Sequence, residues 1–152
     1  MSNMPVISPS EIHAYMAHAF ANGDNIHLHG ASGIGKTEIV VQFAKWQAEQ
    51  IGATFYQVGK DPVPDDLDNA YALLPFLVAT MDPLDFKGAA SVVEGKTRFN
   101  PNDMLPDAAV HGKFGLWFLD EVSQGSPSTT NALTGILLGG QLGHYSFPNT
   151  WN

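Results

Sequence analysis

The amino-acid sequence predicts an α/β fold with a mostly parallel sheet. Three observations predict it. A short apolar stretch, Asn25–His29, passes through a glycine-rich turn into a helical pattern. Phe114–Leu119 is a continuous apolar run of strand length, which indicates burial on both faces, as in a parallel sheet. The order strand–helix–strand, then an insert, then strand–helix is that of an alternating α/β architecture.

Taken in order, Ser8-Pro9-Ser10-Glu11 reads as a helix start, with Ser8 as N-cap, Pro9 in the first helical position and Glu11 completing a capping box. Ile12, Tyr15, Met16, Ala19 and Phe20 follow at helical spacing, and Gly23 is the stop. In Asn25–His29, Ile26 and Leu28 share one face. The next helix runs from about Lys36 to Gln50 on a stripe of Ile39, Val40, Phe43 and Trp46, and Gly52 ends it. Ala53–Val58 is a second strand. Pro62, Pro64, Pro75 and Pro83 divide the following stretch, for which a helix around Asp66–Leu74 is expected. Ser91–Phe99 has the pattern of a β-hairpin with a tight Glu94-Gly95 turn. Pro101–Ala109 reads as a loop entering a short helix, Pro127–Leu138 as a helix, and Leu142–Phe147 as a short strand.

Length and composition bound the possibilities. The chain has 152 residues, which suits one domain over residues 1–152, and 44% hydrophobic residues suffice for a core. Seven Lys and Arg stand against 15 Asp and Glu, a formal charge of −8. That balance argues against a domain whose affinity comes mainly from neutralising a nucleic-acid backbone. There is no cysteine, which excludes disulfides, thiol catalysis and zinc–thiolate sites. No apolar stretch approaches the ~20 residues of a membrane-spanning helix, and the N-terminus lacks the basic start and apolar centre of a signal peptide. The expectation is a cytoplasmic protein without a membrane partner.

The turn Gly30-Ala31-Ser32-Gly33-Ile34-Gly35-Lys36-Thr37 fits G-x-x-x-x-G-K-[ST] at every position. The pattern has a physical basis. Glycines open backbone angles closed to other residues and allow close approach to a ligand. Successive N–H groups then form a concavity for anions, and the helix beginning near Lys36 adds the positive end of its dipole. The Lys36 ammonium is expected on the β- and γ-phosphates of ATP and the Thr37 hydroxyl on magnesium. All eight residues, Gly30 through Thr37, are therefore expected to line the nucleotide.

The apolar strand ends in Asp120-Glu121. Asp120, at the carboxyl end of a strand, is placed to hold magnesium or its water, since ligands bind at that edge of open α/β sheets. Glu121 is then the expected base that orients and activates the attacking water, with Lys36 as the second catalytic residue. The acid pair favours hydrolysis over transfer. A phosphotransferase needs no such glutamate and usually needs basic lid residues, and Arg98 is the chain's one arginine. Other candidates are weaker. His27 and His29 share a face of the first strand and suggest a metal pair, but no third ligand has the spacing, so packing or partner contact is preferred. Trp46, Trp117, Phe55 and Tyr56 are expected in the core.

These residues resemble the AAA+ ATPase superfamily, and within it the MoxR-like branch. The narrower resemblance rests on Asp82-Pro83-Leu84-Asp85-Phe86-Lys87-Gly88 leading into the hairpin and Thr97-Arg98-Phe99-Asn100-Pro101, on Leu105-Pro106, on Ser126-Pro127 through Asn131-Ala132-Leu133, and on Gln141-Leu142-Gly143 to Pro148 and Trp151. It spans nearly the whole chain from about Asn25. The resemblance implies a P-loop NTPase three-layer αβα core with an inserted β-hairpin that contacts partners. It implies magnesium-dependent ATP hydrolysis coupled to remodelling of a protein substrate or adaptor, usually from a hexameric ring. Family members continue beyond the position of Trp151 with a sensor strand, an arginine finger and a helical lid. The strand after Trp151 lies between the P-loop strand and the Asp120 strand in that family. The expectation is thus a module incomplete at the C-terminus. Two other readings stay open: a fragment that binds nucleotide without significant turnover, and a P-loop kinase-like phosphotransferase.

Overall fold

A computed structural model describes residues 7–8, 11–31, 33–100, 102, 104–142 and 145–152, without the side chains of Lys87 and Leu142. Pro9, Ser10, Ser32, Pro101 and Gly143, which carry parts of the expectations above, lie outside the described residues. The helices are α1 (Ile12–Ala21), α2 (Lys36–Ile51), α3 (Pro83–Lys87), α4 (Ala108–His111) and α5 (Pro127–Gly139). The strands are β1 (Thr54–Gln57), β2 (Ala70–Leu77), β3 (Ala89–Val93), β4 (Lys96–Asn100), β5 (Phe114–Asp120), β6 (Gln141–Leu142) and β7 (Tyr145–Ser146).

The main sheet has the order β1-β2-β5 and is parallel throughout. Its register places Leu73 beside Leu116 and Leu77 beside Asp120. Successive residues of β2 go to opposite faces, as a strand requires. Tyr71 and Leu73 join Met16, Val40, Phe43, Ala44, Ala48 and Leu116 under α1 and α2. Ala70, Ala72, Leu74 and Phe76 join Trp117, Leu133, Ile136 and Trp151 on the other face, under α5. The result is three layers, helices on each side of a mostly parallel sheet.

This arrangement overturns the expected helix around Asp66–Leu74. A single 3-10 turn, Leu67–Asn69, precedes β2. The run Ala70–Leu77 is apolar at every residue, so it satisfies both faces of a central strand. Pro75 sits in that strand without cost. Val58 N–H donates to Leu73 O at 3.0 Å, so the β1 side of β2 is the side to which Leu73 and, two residues on, Pro75 turn their backbone groups. β1 ends at Gln57, and the missing donor of Pro75 removes no ladder bond.

The expected strand Asn25–His29 is also corrected. It shows the right alternation, with Ile26 and Leu28 half-buried against the α1–α2 core and His27 and His29 exposed. It belongs to no ladder among the described residues. A strand needs a neighbour for its backbone groups. The free flank of β5 is instead taken at Gly115–Trp117 by Trp151–Asn152, through Asn152 N–H to Gly115 O (3.0 Å) and Trp117 N–H to Asn152 O (2.8 Å). β5 is therefore the outer strand of the three-stranded ladder.

Smaller corrections follow the same logic. α1 starts later than expected: Glu11 is its N-cap residue, and the Glu11 carboxylate accepts from Ser8 N–H and Ser8 Oγ outside the helix. Those bonds hold the Glu11 carboxyl below its ordinary pKa. Tyr15, expected in the buried stripe, is half exposed. The Leu142–Phe147 stretch is a small antiparallel pair, β6 with β7. The β3–β4 hairpin forms as expected, with Glu94 (φ 52°) and Gly95 (φ 73°) in the left-handed region that a tight turn demands. Its base is fixed by α3, whose Asp82 and Asp85 form a reciprocal capping box.

Trp151 is the clamp on β5. Its indole lies over Gly115, where an added Cβ would stand 2.6 Å from the ring. Its Nε1–H donates to Gly112 O at 3.1 Å. Gly115→Ala should lower stability by about 1–3 kcal/mol through overpacking, read as a lower urea midpoint at unchanged slope. Tyr71 presents the opposite case. Its hydroxyl is buried without a hydrogen-bond partner among the described residues, and burial raises its pKa. Tyr71→Phe removes that unmet group and should leave stability equal or higher by about 1 kcal/mol, in the same unfolding measurement.

Candidate functional site

The glycine-rich loop is built from the α2 end. Gly33 (φ 79°) and Gly35 (φ 85°) hold left-handed angles, and Gly35 is the residue on which α2 starts. The first bond of the helical ladder is Ile39 N–H to Gly35 O at 3.0 Å. The N–H groups of Lys36, Thr37 and Glu38 precede it and are the unsatisfied donors of a helix N-terminus. α2 has 16 residues and packs by Val40, Phe43, Ala44 and Ala48 on the sheet, which fixes the loop relative to β5.

Thr37 and Asp120 meet. Thr37 Oγ1 donates to Asp120 Oδ2 at 3.3 Å, across 83 positions of sequence. The other carboxylate oxygen, Asp120 Oδ1, accepts from Glu121 N–H at 2.9 Å. Asp120 is half-buried at the carboxyl end of β5 and Glu121 is exposed. Glu121 takes a left-handed conformation (φ 53°, ψ 38°) and caps the 3-10 turn Val122–Gln124. A glutamate held there carries backbone strain of roughly 1 kcal/mol or more.

Lys36 is engaged by the loop itself. Its Nζ donates to Gly30 O and to Ala31 O, each at 2.9 Å. The ammonium thereby closes the start of the loop onto the start of the helix. An anion entering the loop has to draw Lys36 from two neutral carbonyls, and a charged acceptor is the stronger partner.

The expected residues therefore sort as follows. Gly30, Ala31, Gly33, Ile34, Gly35, Lys36 and Thr37 form one loop and helix start, exposed except for the half-buried Lys36, and Asp120 stands beside Thr37 with Glu121 next along the chain. Ser32 lies outside the described residues. Arg98 is on β4, paired with Ser91, and belongs to the hairpin. His27 and His29 stand 6.2 Å apart between ring centroids, edge to face. Among the described residues no three His, Asp or Glu side chains converge as a metal site, and the Thr37–Asp120 pair is a two-oxygen set of mixed type.

Sequence reasoning missed the residues that steady the Asp120–Glu121 turn. Gly125 follows it, and a Cβ there would stand 2.7 Å from Val78 Cγ1. Ser126 caps α5 by accepting from Thr129 N–H, and the buried Thr129 hydroxyl donates to Met81 O at 3.0 Å. The helix at Pro127–Leu138 was expected from the sequence, but its Ser126 cap and the cross-chain tie to Met81 were not.

Two hollows of the surface lie away from the glycine-rich loop. One, of about 440 Å³, is lined by Asp107, Tyr145 and Pro148 among others. A second, of about 500 Å³, lies between Asn25, Leu137, Trp151 and Asn152. The Gly30–Thr37 loop is exposed apart from the half-buried Lys36, among the described residues.

The fold and site define an α/β protein with a glycine-rich loop at a helix N-terminus, set against an acidic strand end. No family model, curated protein or solved structure matches the chain.

The strain at Glu121 has a measurable sign. Glu121→Gly should raise stability by up to about 1 kcal/mol, because glycine accepts the left-handed angles. Glu121→Ala, which keeps a Cβ there, should change it by less than about 0.5 kcal/mol. Chemical denaturation of the two variants beside the parent decides between strain and no strain.

Proposed function

We propose that this chain is the core of a magnesium-dependent ATPase of the AAA+ type, acting with protein partners as the MoxR-like resemblance implies. The observation that carries the proposal is the bond from Thr37 to Asp120. Two motif halves far apart in sequence meet in the order a nucleoside triphosphate requires, with loop N–H groups and Lys36 for phosphate and the Thr37 and Asp120 oxygens for a hard cation.

The donor chemistry fits magnesium, which takes oxygen ligands and keeps several waters, so one carboxylate and one hydroxyl suffice from the protein. Held by Thr37 and Asp120, magnesium would neutralise charge on the β- and γ-phosphates. The loop glycines let N–H groups approach the phosphates closely. Lys36 leaves the carbonyls of Gly30 and Ala31 for the phosphate oxygens. Glu121 orients the attacking water and takes its proton, which its exposed position beside Asp120 allows. Water then attacks the γ-phosphorus, the bond to the β–γ bridging oxygen breaks, and ADP and phosphate leave.

Calorimetric titration with magnesium and ATP, combined with a phosphate-release assay, tests both halves. Lys36→Ala should weaken binding by about tenfold or more, the value of a lost charge-assisted hydrogen bond. Glu121→Gln should bind normally and lose about 100-fold or more of turnover. Unchanged affinity in Lys36→Ala removes the phosphate role of the loop, and unchanged turnover in Glu121→Gln removes the base. Binding by the parent without phosphate release would reduce the proposal to nucleotide binding alone.

A further inference from the structure

The β3–β4 hairpin is exposed on both faces, with Ser91 alone half-buried. A two-stranded ribbon without a packed face is marginal by itself. It is held at its base, where Gly88 (φ 71°) lies so close to the Asn100 carbonyl that no side chain fits between them. The pairing Ser91↔Arg98 and Val93↔Lys96 puts these four side chains on one face, because directly paired residues point the same way. That face joins two cations to an apolar residue, Val93, that is 43% exposed. Arg98 and Lys96 make no ion pair among the described residues.

The opposite chemistry stands on the β1–β2 connection. From Asp61 to Asp68 it carries Asp61, Asp65, Asp66 and Asp68, all exposed. In their midst Val63 is 60% exposed. Pro62 and Pro64 fix the backbone on either side of Val63, so little conformational freedom remains to be lost on binding. Leu67 anchors the segment, since Lys113 N–H donates to its carbonyl at 2.9 Å. These carboxylates also make no ion pair among the described residues. The two surfaces match in charge and in their apolar centre, and within one chain they do not pair.

We propose that the cationic face of the hairpin, Ser91, Val93, Lys96 and Arg98, docks on the Asp61–Asp68 connection of a second copy of this chain. The contact is heterologous: each copy offers its hairpin to one neighbour and its acidic connection to another. Val93 meets Val63, and Lys96 and Arg98 meet Asp65 and Asp66. The inference is independent of the nucleotide reading and uses none of its residues.

Sedimentation velocity without nucleotide tests it, at about 20 mM and about 300 mM salt, where screening differs strongly. The parent should associate at low salt and less at high salt. Lys96→Glu/Arg98→Glu and Asp65→Lys/Asp66→Lys should each weaken association by about tenfold or more, since like charges then face each other. The combined fourfold charge swap should restore it to within about threefold of the parent. Far-UV circular dichroism and melting temperature of each variant verify the fold, and Lys96→Gln/Arg98→Gln gives the same loss without charge reversal. A parent monomeric at low salt overturns the proposal, as does association unchanged in either double variant or left unrestored in the swap. A monomeric parent that binds a mixed-sequence single-stranded oligonucleotide through Lys96 and Arg98 also overturns it, and assigns the face to nucleic acid.

Discussion

The structure depends on one strand being buried on both sides. β2 lies between β1 and β5 and sends Tyr71 and Leu73 to the α1–α2 face and Ala72, Leu74 and Phe76 to the α5 face. α1 and α2 pack on the first of those surfaces and α5 on the second. α2 lies across all three strands, and its Phe43 and Ala44 are fully buried there. β5 is aligned through its ladder with β2, which puts Asp120 level with Leu77 at the carboxyl edge. The glycine-rich loop and the acidic turn are near each other because helix and strand both pack against β2, each burying apolar area at about 25 cal/mol per Å².

Much of this was legible in the sequence where local chemistry and tertiary demand agree. α2 declared both ends: a G-x-x-x-x-G-K-[ST] turn at Gly30–Thr37 and Gly52 in the left-handed stop position. The hairpin was declared by Glu94-Gly95, and α5 was expected over Pro127–Leu138. The failures are equally physical. Ala70–Leu77 contains good helix formers, and the segment was divided by prolines. Only burial on two faces made it a strand, and burial is a tertiary fact. Asn25–His29 had the alternation of a strand, but alternation records which side is wet, and a ladder requires a neighbour.

The candidate site was legible in its parts and not in its connections. Motif spacing singled out Lys36, Thr37, Asp120 and Glu121, and the fold brings Thr37 to Asp120, with Lys36 and Glu121 adjacent to them along the chain. Three connections were beyond the sequence: the grip of Lys36 on the carbonyls of Gly30 and Ala31, the left-handed backbone of Glu121, and the tie from Thr129 to Met81 that steadies the turn. The last joins groups 48 positions apart whose adjacency comes from packing, and the first two are local conformations that no residue pattern specifies.

Asn25–His29 has no ladder partner among the described residues, so the start of the loop is held by the packing of Ile26 and Leu28 and by the grip of Lys36 on Gly30 and Ala31. The segment before it can exchange its amide hydrogens by local opening, while α2 and β2 exchange only through larger unfolding. The distance between Thr37 and Asp120 is then governed by how deeply α2 seats against the sheet. Ala44, with no exposed surface at that contact, acts as a shim. A bulkier residue there would lift the helix and open the site from behind, at a point that touches neither loop nor acid pair.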